Sequence, residues 1–161
     1  MIIDKKYYLD LIKNYKNNLN IKDNYIFIYT ISRQENLNTF IEKSAKELNY
    51  SIINFPLNKK SSVEYFIYLF VNSKAIITNS YHGTIFSIIF NKPFISFHYK
   101  GSARERLISL GKLLGVKERI FDYNENPNIK LLITPLKINN ALLNILRNKS
   151  INFIKKNIYT L

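Results

Sequence analysis

Cysteine is absent from the 161-residue sequence, which excludes disulfides and thiolate metal sites and fits a reducing compartment such as the cytoplasm. Histidine is nearly absent too. Two histidines and 11 acidic residues leave little from which to build a metal site, so neither a metal nor a bound cofactor is expected. No apolar run is long enough to span a bilayer, because Asn91 and Lys92 interrupt the best candidate. The opening stretch MIIDKKYYLDLIKNYKNN is charged within its first turn and lacks a signal-peptide core. Internal repeats, low-complexity tracts and linkers are also missing.

What is present describes one folded domain. Hydrophobic residues make up 47% of the chain and aromatics 14%, enough for a proper core at this length. Basic residues outnumber acidic ones 24 to 11, a formal charge of +13. Such a balance points to an anionic partner: nucleic acid, membrane phosphate, an acidic glycan or a phosphorylated small molecule. The lysines are spread along the whole chain, as a biased composition would also give. No block of them reaches the density of a nucleic-acid arm, so nucleic acid is not an expected partner. Peripheral contact with a membrane, at its inner face, stays open.

Hydrophobic patterning alternates strand with helix. YIFIYTI (25–31) reads as a buried strand, and Ser32 with Glu35 forms an S-x-x-E capping pattern before apolar residues at helical spacing through Leu48. SIINF (51–55) reads as a second strand closed by Pro56. Ser61 with Glu64 repeats the cap ahead of a helix bearing Val63, Phe66, Ile67 and Phe70. KAIITN (74–79) is a third strand, and HGTIFSIIFN a buried helix that must end before Pro93. PFISFH is a fourth strand, after which Ser102 and Glu105 cap a helix running to Leu114 and stopped by Gly115. RIFDY (119–123) makes a short fifth strand, and one or two amphipathic helices follow from about Leu136. Apolar strands alternating with helices imply a Rossmann-like α/β domain, its parallel sheet covered by helices on both faces. Residues 1–24 are expected to form an arm or lead-in helix, and 25–161 the domain proper.

The chemistry-bearing junction is Asn79-Ser80-Tyr81-His82-Gly83, between the third strand and the buried helix. Asn79 or Ser80 can cap that helix, and Gly83 can admit a ligand or take a conformation closed to other residues. The helix start favours anions. His82 there can donate to a phosphate or carboxylate or act as a general acid. The same position equally suits a histidine packed at a strand end against a backbone carbonyl. Arg104 and Arg106 begin the next helix on the same side of the sheet, but residues two apart point in different directions. Arg106, nearer the apolar stripe of Ala103, Leu107, Leu110 and Leu114, is the better placed for a bidentate anion contact, or else a surface residue paired with Glu105 or Glu118. His98 ends the fourth strand at the same edge, beside Tyr99, Lys100 and Gly101. It either lines that pocket or sits there incidentally.

These residues resemble a family signature. SSVEYFIYLFVNSKAIITNSYHGTIFSIIFNKPFISF is similar to the central region of polysaccharide pyruvyl transferases: an acidic-aromatic helix (Glu64, Phe66), the turn from Ala75 to Gly83, Phe86 with Ser87, and the strand opening Lys92 to Phe94. RLISL (106–110), LGVKERIF (114–121) and RNKSINFI (147–154) resemble its later segments. The resemblance implies the donor-side, C-terminal half of a GT-B-type fold, with a partner chain supplying the other half and this chain inactive alone. It also implies transfer of pyruvate from phosphoenolpyruvate to two hydroxyls of a glycan or lipid-linked sugar, forming a ketal. Histidine suits the protonation of the donor's methylene carbon. Where some branches carry an arginine two places before the histidine, Ser80 stands here. Cationic binding then falls to Arg106, Arg104 or Lys100, with Asn79, Ser80, Gly83 and His98 around the donor.

Two other functions fit the same sequence. A nucleotide-sugar glycosyltransferase half-domain would bind a diphosphate at the same edge and need an acidic residue for the ribose, for which Asp122 and Glu118 are the candidates. A non-catalytic module would present its basic face to an acidic glycan or another anion while a partner carries out catalysis.

Overall fold

The structure, a computed structural model, describes residues 4–15, 21, 24–32, 34–55, 61–99, 101–138 and 140–158. Five strands, β1 (Tyr25–Tyr29), β2 (Ser51–Asn54), β3 (Ala75–Thr78), β4 (Phe94–His98) and β5 (Ile120–Asp122), form one sheet in the order β2-β1-β3-β4-β5. Every pairing is parallel. The helices are α1 (Lys5–Ile12), α2 (Glu35–Leu48), α3 (Val63–Asn72), α4 (Tyr81–Ile89), α5 (Ser102–Leu114) and α6 (Asn140–Ile158). The strand order reverses between β1 and β3, which puts a crevice at their C-terminal ends.

Side chains alternate across each strand, so the sheet has two cores. Ile26, Ile28, Ala75, Ile77, Ile95 and Phe97 pack with Leu37, Phe40 and Ile41 of α2. Tyr25, Phe27, Ile76 and Phe94 pack with residues of α3, α4 and α5. This second core is dense in aromatics: the Phe27 and Phe70 rings meet edge-on at 4.8 Å. Full burial of each such ring contributes about 1.5–3 kcal/mol. α1 closes the layer through Tyr8, 5.4 Å from Phe86 and 5.8 Å from Phe90. Asp4 at its start binds Arg147 of α6 at 2.7 Å. β2, at the sheet edge, is mostly exposed.

The ends of elements differ from the sequence expectation for local reasons. Gln34, not Ser32, precedes α2, because the Ser32 carbonyl is bound by Asn79 and the chain turns helical only at Glu35, three residues later. Ser62, one residue beyond Ser61, caps α3 by accepting from Tyr65 N at 3.2 Å. Gly101, with φ 121°, precedes α5, so Ser102 is its first residue and not its cap. Gly115 ends α5 in the left-handed conformation at φ 70°, as the sequence predicts. The C-terminal segment makes a single helix, and the closure expected at Pro56 lies outside the described residues.

Arg119 precedes β5 instead of starting it. Buried, its guanidinium donates to the carbonyls of Leu131 (2.7 Å), Thr134 (2.9 Å), Pro135 (3.3 Å) and Phe94 (3.4 Å). It thereby fastens a 3-10 turn at Ile129–Leu132, which the patterning does not reveal, to the start of β4. This end of the sheet lies opposite the crevice.

Candidate functional site

The turn out of β3 is built by hydroxyls and one amide. Thr78 Oγ1 donates to the Tyr29 carbonyl at 2.6 Å and accepts from Ser80 N at 3.0 Å, bending the chain into α4. Asn79 Oδ1 accepts from Ile31 N at 2.8 Å, while its Nδ2 donates to the Ser32 carbonyl and the Tyr123 hydroxyl. Asn79 therefore clips the loops after β1 and β5 to the loop after β3. Its amide protons are occupied by the protein, which makes it a shaper of the crevice. Tyr123 stacks on Tyr99 at 3.9 Å, and burial is the first cause of its raised hydroxyl pKa. It stays neutral at working pH.

Ser80 is buried and stands at the N-cap position of α4, but neither its side chain nor that of Asn79 caps the helix. The first turn is thus open to another acceptor. Gly83 lies inside α4 and is also buried. A Cβ there would come within 2.2 Å of Thr78 Oγ1 and 2.9 Å of Tyr29 Cδ1. Its smallness lets the helix lie on the strands. Its backbone is ordinary helix, so the unusual conformation allowed for from the sequence is not adopted.

His82 is exposed at the start of α4, its ring 6.1 Å from that of Tyr81 and nearly perpendicular to it. The Arg106 guanidinium lies over the Tyr81 ring, 5.4 Å from its centre, in cation–π geometry. Tyr81 and Arg106 line a cavity of about 460 Å³ with Glu105, Ser109, Leu110 and Leu113, between α4 and α5. His82 and Arg106 therefore share one side of the sheet, joined through Tyr81. Sequence reasoning passed over Tyr81, whose only signal was its place beside His82.

The other expected residues separate. His98 is buried and, with Arg104, lines a second cavity of about 370 Å³ on the opposite flank of α5. Arg104 and Arg106 thus face different cavities, as helical spacing implies. His98 does not line the cavity at Arg106, because its side chain projects from β4 beneath α5. Its Nδ1 stands 3.9 Å from Asp122 Oδ2, the residue paired with it across β4 and β5. Lys100 lies outside the described residues. Asp122 Oδ1 accepts from Asn124 N at 3.1 Å, and Glu118 lies 3.8 Å from Arg119. Among the described residues no three His, Asp or Glu side chains converge as a metal would need, and no helix is long and apolar enough to cross a membrane.

A parallel sheet reversed at β1 and β3, with helices on both faces, defines a doubly wound, Rossmann-like α/β domain. Residues 2–101 match the family model of polysaccharide pyruvyl transferase, and the chain belongs to that family. No curated protein and no solved structure matches it. The matched stretch takes in α1 and contains the whole Asn79–Gly83 turn. It stops before Arg104, Arg106 and the later segments that the sequence resemblance drew in.

Proposed function

We propose that this domain forms the donor side of a pyruvyl transferase and binds phosphoenolpyruvate at the α4–α5 corner. The observation that supports this reading is the Arg106 guanidinium held over Tyr81, next to the exposed His82. The donor carries a carboxylate and a phosphate, which require a cationic fork and N–H donors. Arg106 supplies the fork, and the uncapped start of α4 supplies the donors.

His82 as an imidazolium gives its proton to the methylene carbon, leaving C2 oxocarbenium-like. A sugar hydroxyl adds to C2 and loses its proton. The C2–O bond to phosphate then breaks, the electron pair leaving with phosphate, and a second hydroxyl adds to C2 and passes its proton to the departing phosphate, closing the ketal. The acceptor is a glycan or lipid-linked sugar, presented by a partner domain across the crevice. The lack of cysteine is compatible with a cytoplasmic site.

Calorimetric titration of the chain with phosphoenolpyruvate, against sulfate at equal concentration, tests the reading. Phosphoenolpyruvate should bind more tightly than sulfate, and Arg106→Ala should cost roughly 2 kcal/mol of that binding, with Arg106→Lys recovering only part. His82→Ala should weaken binding with little change in melting temperature, because the ring is exposed. Equal affinities for the two anions, or undiminished binding in both alanine variants, would overturn it.

A further inference from the structure

The cavity beneath α5 is separate from the corner assigned to the donor, and it contains an unresolved polar demand. His98 is 6% exposed and its Nδ1 has no hydrogen-bond partner. Asp122 Oδ2 stands 3.9 Å away, too far for a hydrogen bond. A buried ring nitrogen left in this way is costly unless a ligand or water fills it. The cavity's volume of about 370 Å³ is in the range of small-molecule sites.

The lining selects the ligand. Arg104, Lys112 and Lys117 bring three cations to its walls against the two carboxylates of Asp122 and Glu125, a surplus that favours a single anionic group placed on the Arg104 side, away from the carboxylates. Asp122 would repel a bare phosphate placed against His98. A hydroxyl, which both donates and accepts, bridges His98 Nδ1 and Asp122 Oδ2 without conflict. Asp122 keeps Oδ2 for this purpose, because its other oxygen is bound by Asn124 N and its own N–H donates to Glu125 Oε2 at 2.6 Å. Ile108 and Ile120 offer an apolar wall to the C–H face of a ring.

We propose that this cavity is a second site, one that binds a sugar carrying a single anionic group, with its hydroxyl between His98 and Asp122 and its charge against the Arg104 flank of α5. The proposal goes beyond the donor reading and does not depend on it.

Titration of the full chain with glucose 1-phosphate, glucuronate, glucose and inorganic phosphate tests it. At least one of the two anionic sugars should bind more tightly than glucose and than inorganic phosphate, and the tighter of them identifies which anion is read. Arg104→Ala and Lys112→Ala, both at exposed positions, should each weaken that binding roughly tenfold. Asp122→Asn should reduce the preference over inorganic phosphate, and Arg106→Ala should leave the affinity unchanged. Saturating phosphoenolpyruvate should also leave it unchanged, so a failure of donor binding does not affect this result. Inorganic phosphate binding as tightly as both anionic sugars, or indifference to Arg104→Ala and Lys112→Ala, would overturn the proposal while leaving the donor reading intact.

Discussion

Replacing Gly83 by alanine tests whether the glycine beside His82 serves packing. The added Cβ would lie 2.2 Å from Thr78 Oγ1, 3.0 Å from Thr78 Cβ and 2.9 Å from Tyr29 Cδ1. Thr78 cannot rotate away freely, since its hydroxyl holds both the Tyr29 carbonyl and Ser80 N. Moving it loses two hydrogen bonds at about 1 kcal/mol each. The contact with the Tyr29 ring remains even then, and overpacking of this kind costs about 1–3 kcal/mol. Alanine's better helix propensity returns about 1 kcal/mol within α4. The net expectation is a loss of roughly 2–4 kcal/mol, read as a lower urea midpoint with unchanged slope. In a Thr78→Ala background the same substitution should cost clearly less, because the nearest clashing atom has gone. A Gly83→Ala variant as stable as the parent, or equal costs in both backgrounds, would refute the packing account.

Two further outcomes follow from buried polar groups. Arg119→Leu should lower stability by about 3 kcal/mol in thermal melts, since several carbonyls lose their donor together, and Arg119→Lys should restore only part. Alkaline pH should also destabilise the fold. Burial raises the hydroxyl pKa of Tyr25, whose proton is held on the Leu69 carbonyl at 2.9 Å, and that of Tyr123. The unfolded chain ionises these phenols near the ordinary value of about 10. This contribution is therefore complete below about pH 10 and is lost as pH rises beyond it. Lys92, whose pKa is lowered by burial and then by the Lys5 and Lys74 charges, works in the opposite sense just below the ordinary lysine value. The comparison with Tyr25→Phe isolates the phenol: denaturant midpoints from pH 8 to 11 should fall less steeply in that variant, and identical slopes would refute the assignment.

The strands and helices were legible in the sequence because each has a single dominant cause: apolar runs for the strands and 3.6-residue spacing for the helices. The separation of Arg104 from Arg106 was legible for the same geometric reason. What the sequence concealed depends on contacts between distant residues. Ser32 and Glu35 carry a sound capping pattern, but Asn79, 47 residues away, binds the Ser32 carbonyl. The turn at Ile129–Leu132 lacks a strong local signal and is fastened by Arg119. His98 reaches the same sheet edge as His82, yet the face from which its side chain leaves β4 puts α5 between it and the first cavity. An edge can be read from strand ends, but membership of a pocket also requires the helix packing.

The Asn79 clip has a consequence for the rim as a whole. Three loops separated by more than forty residues in the chain converge on one side-chain amide, so none can shift without disturbing the others. Most doubly wound crevices must quiet several independent loops when a ligand arrives, and that ordering weakens association. Here the ordering is completed during folding. The part of the rim that Asn79 joins is therefore set as a frame before any ligand reaches it.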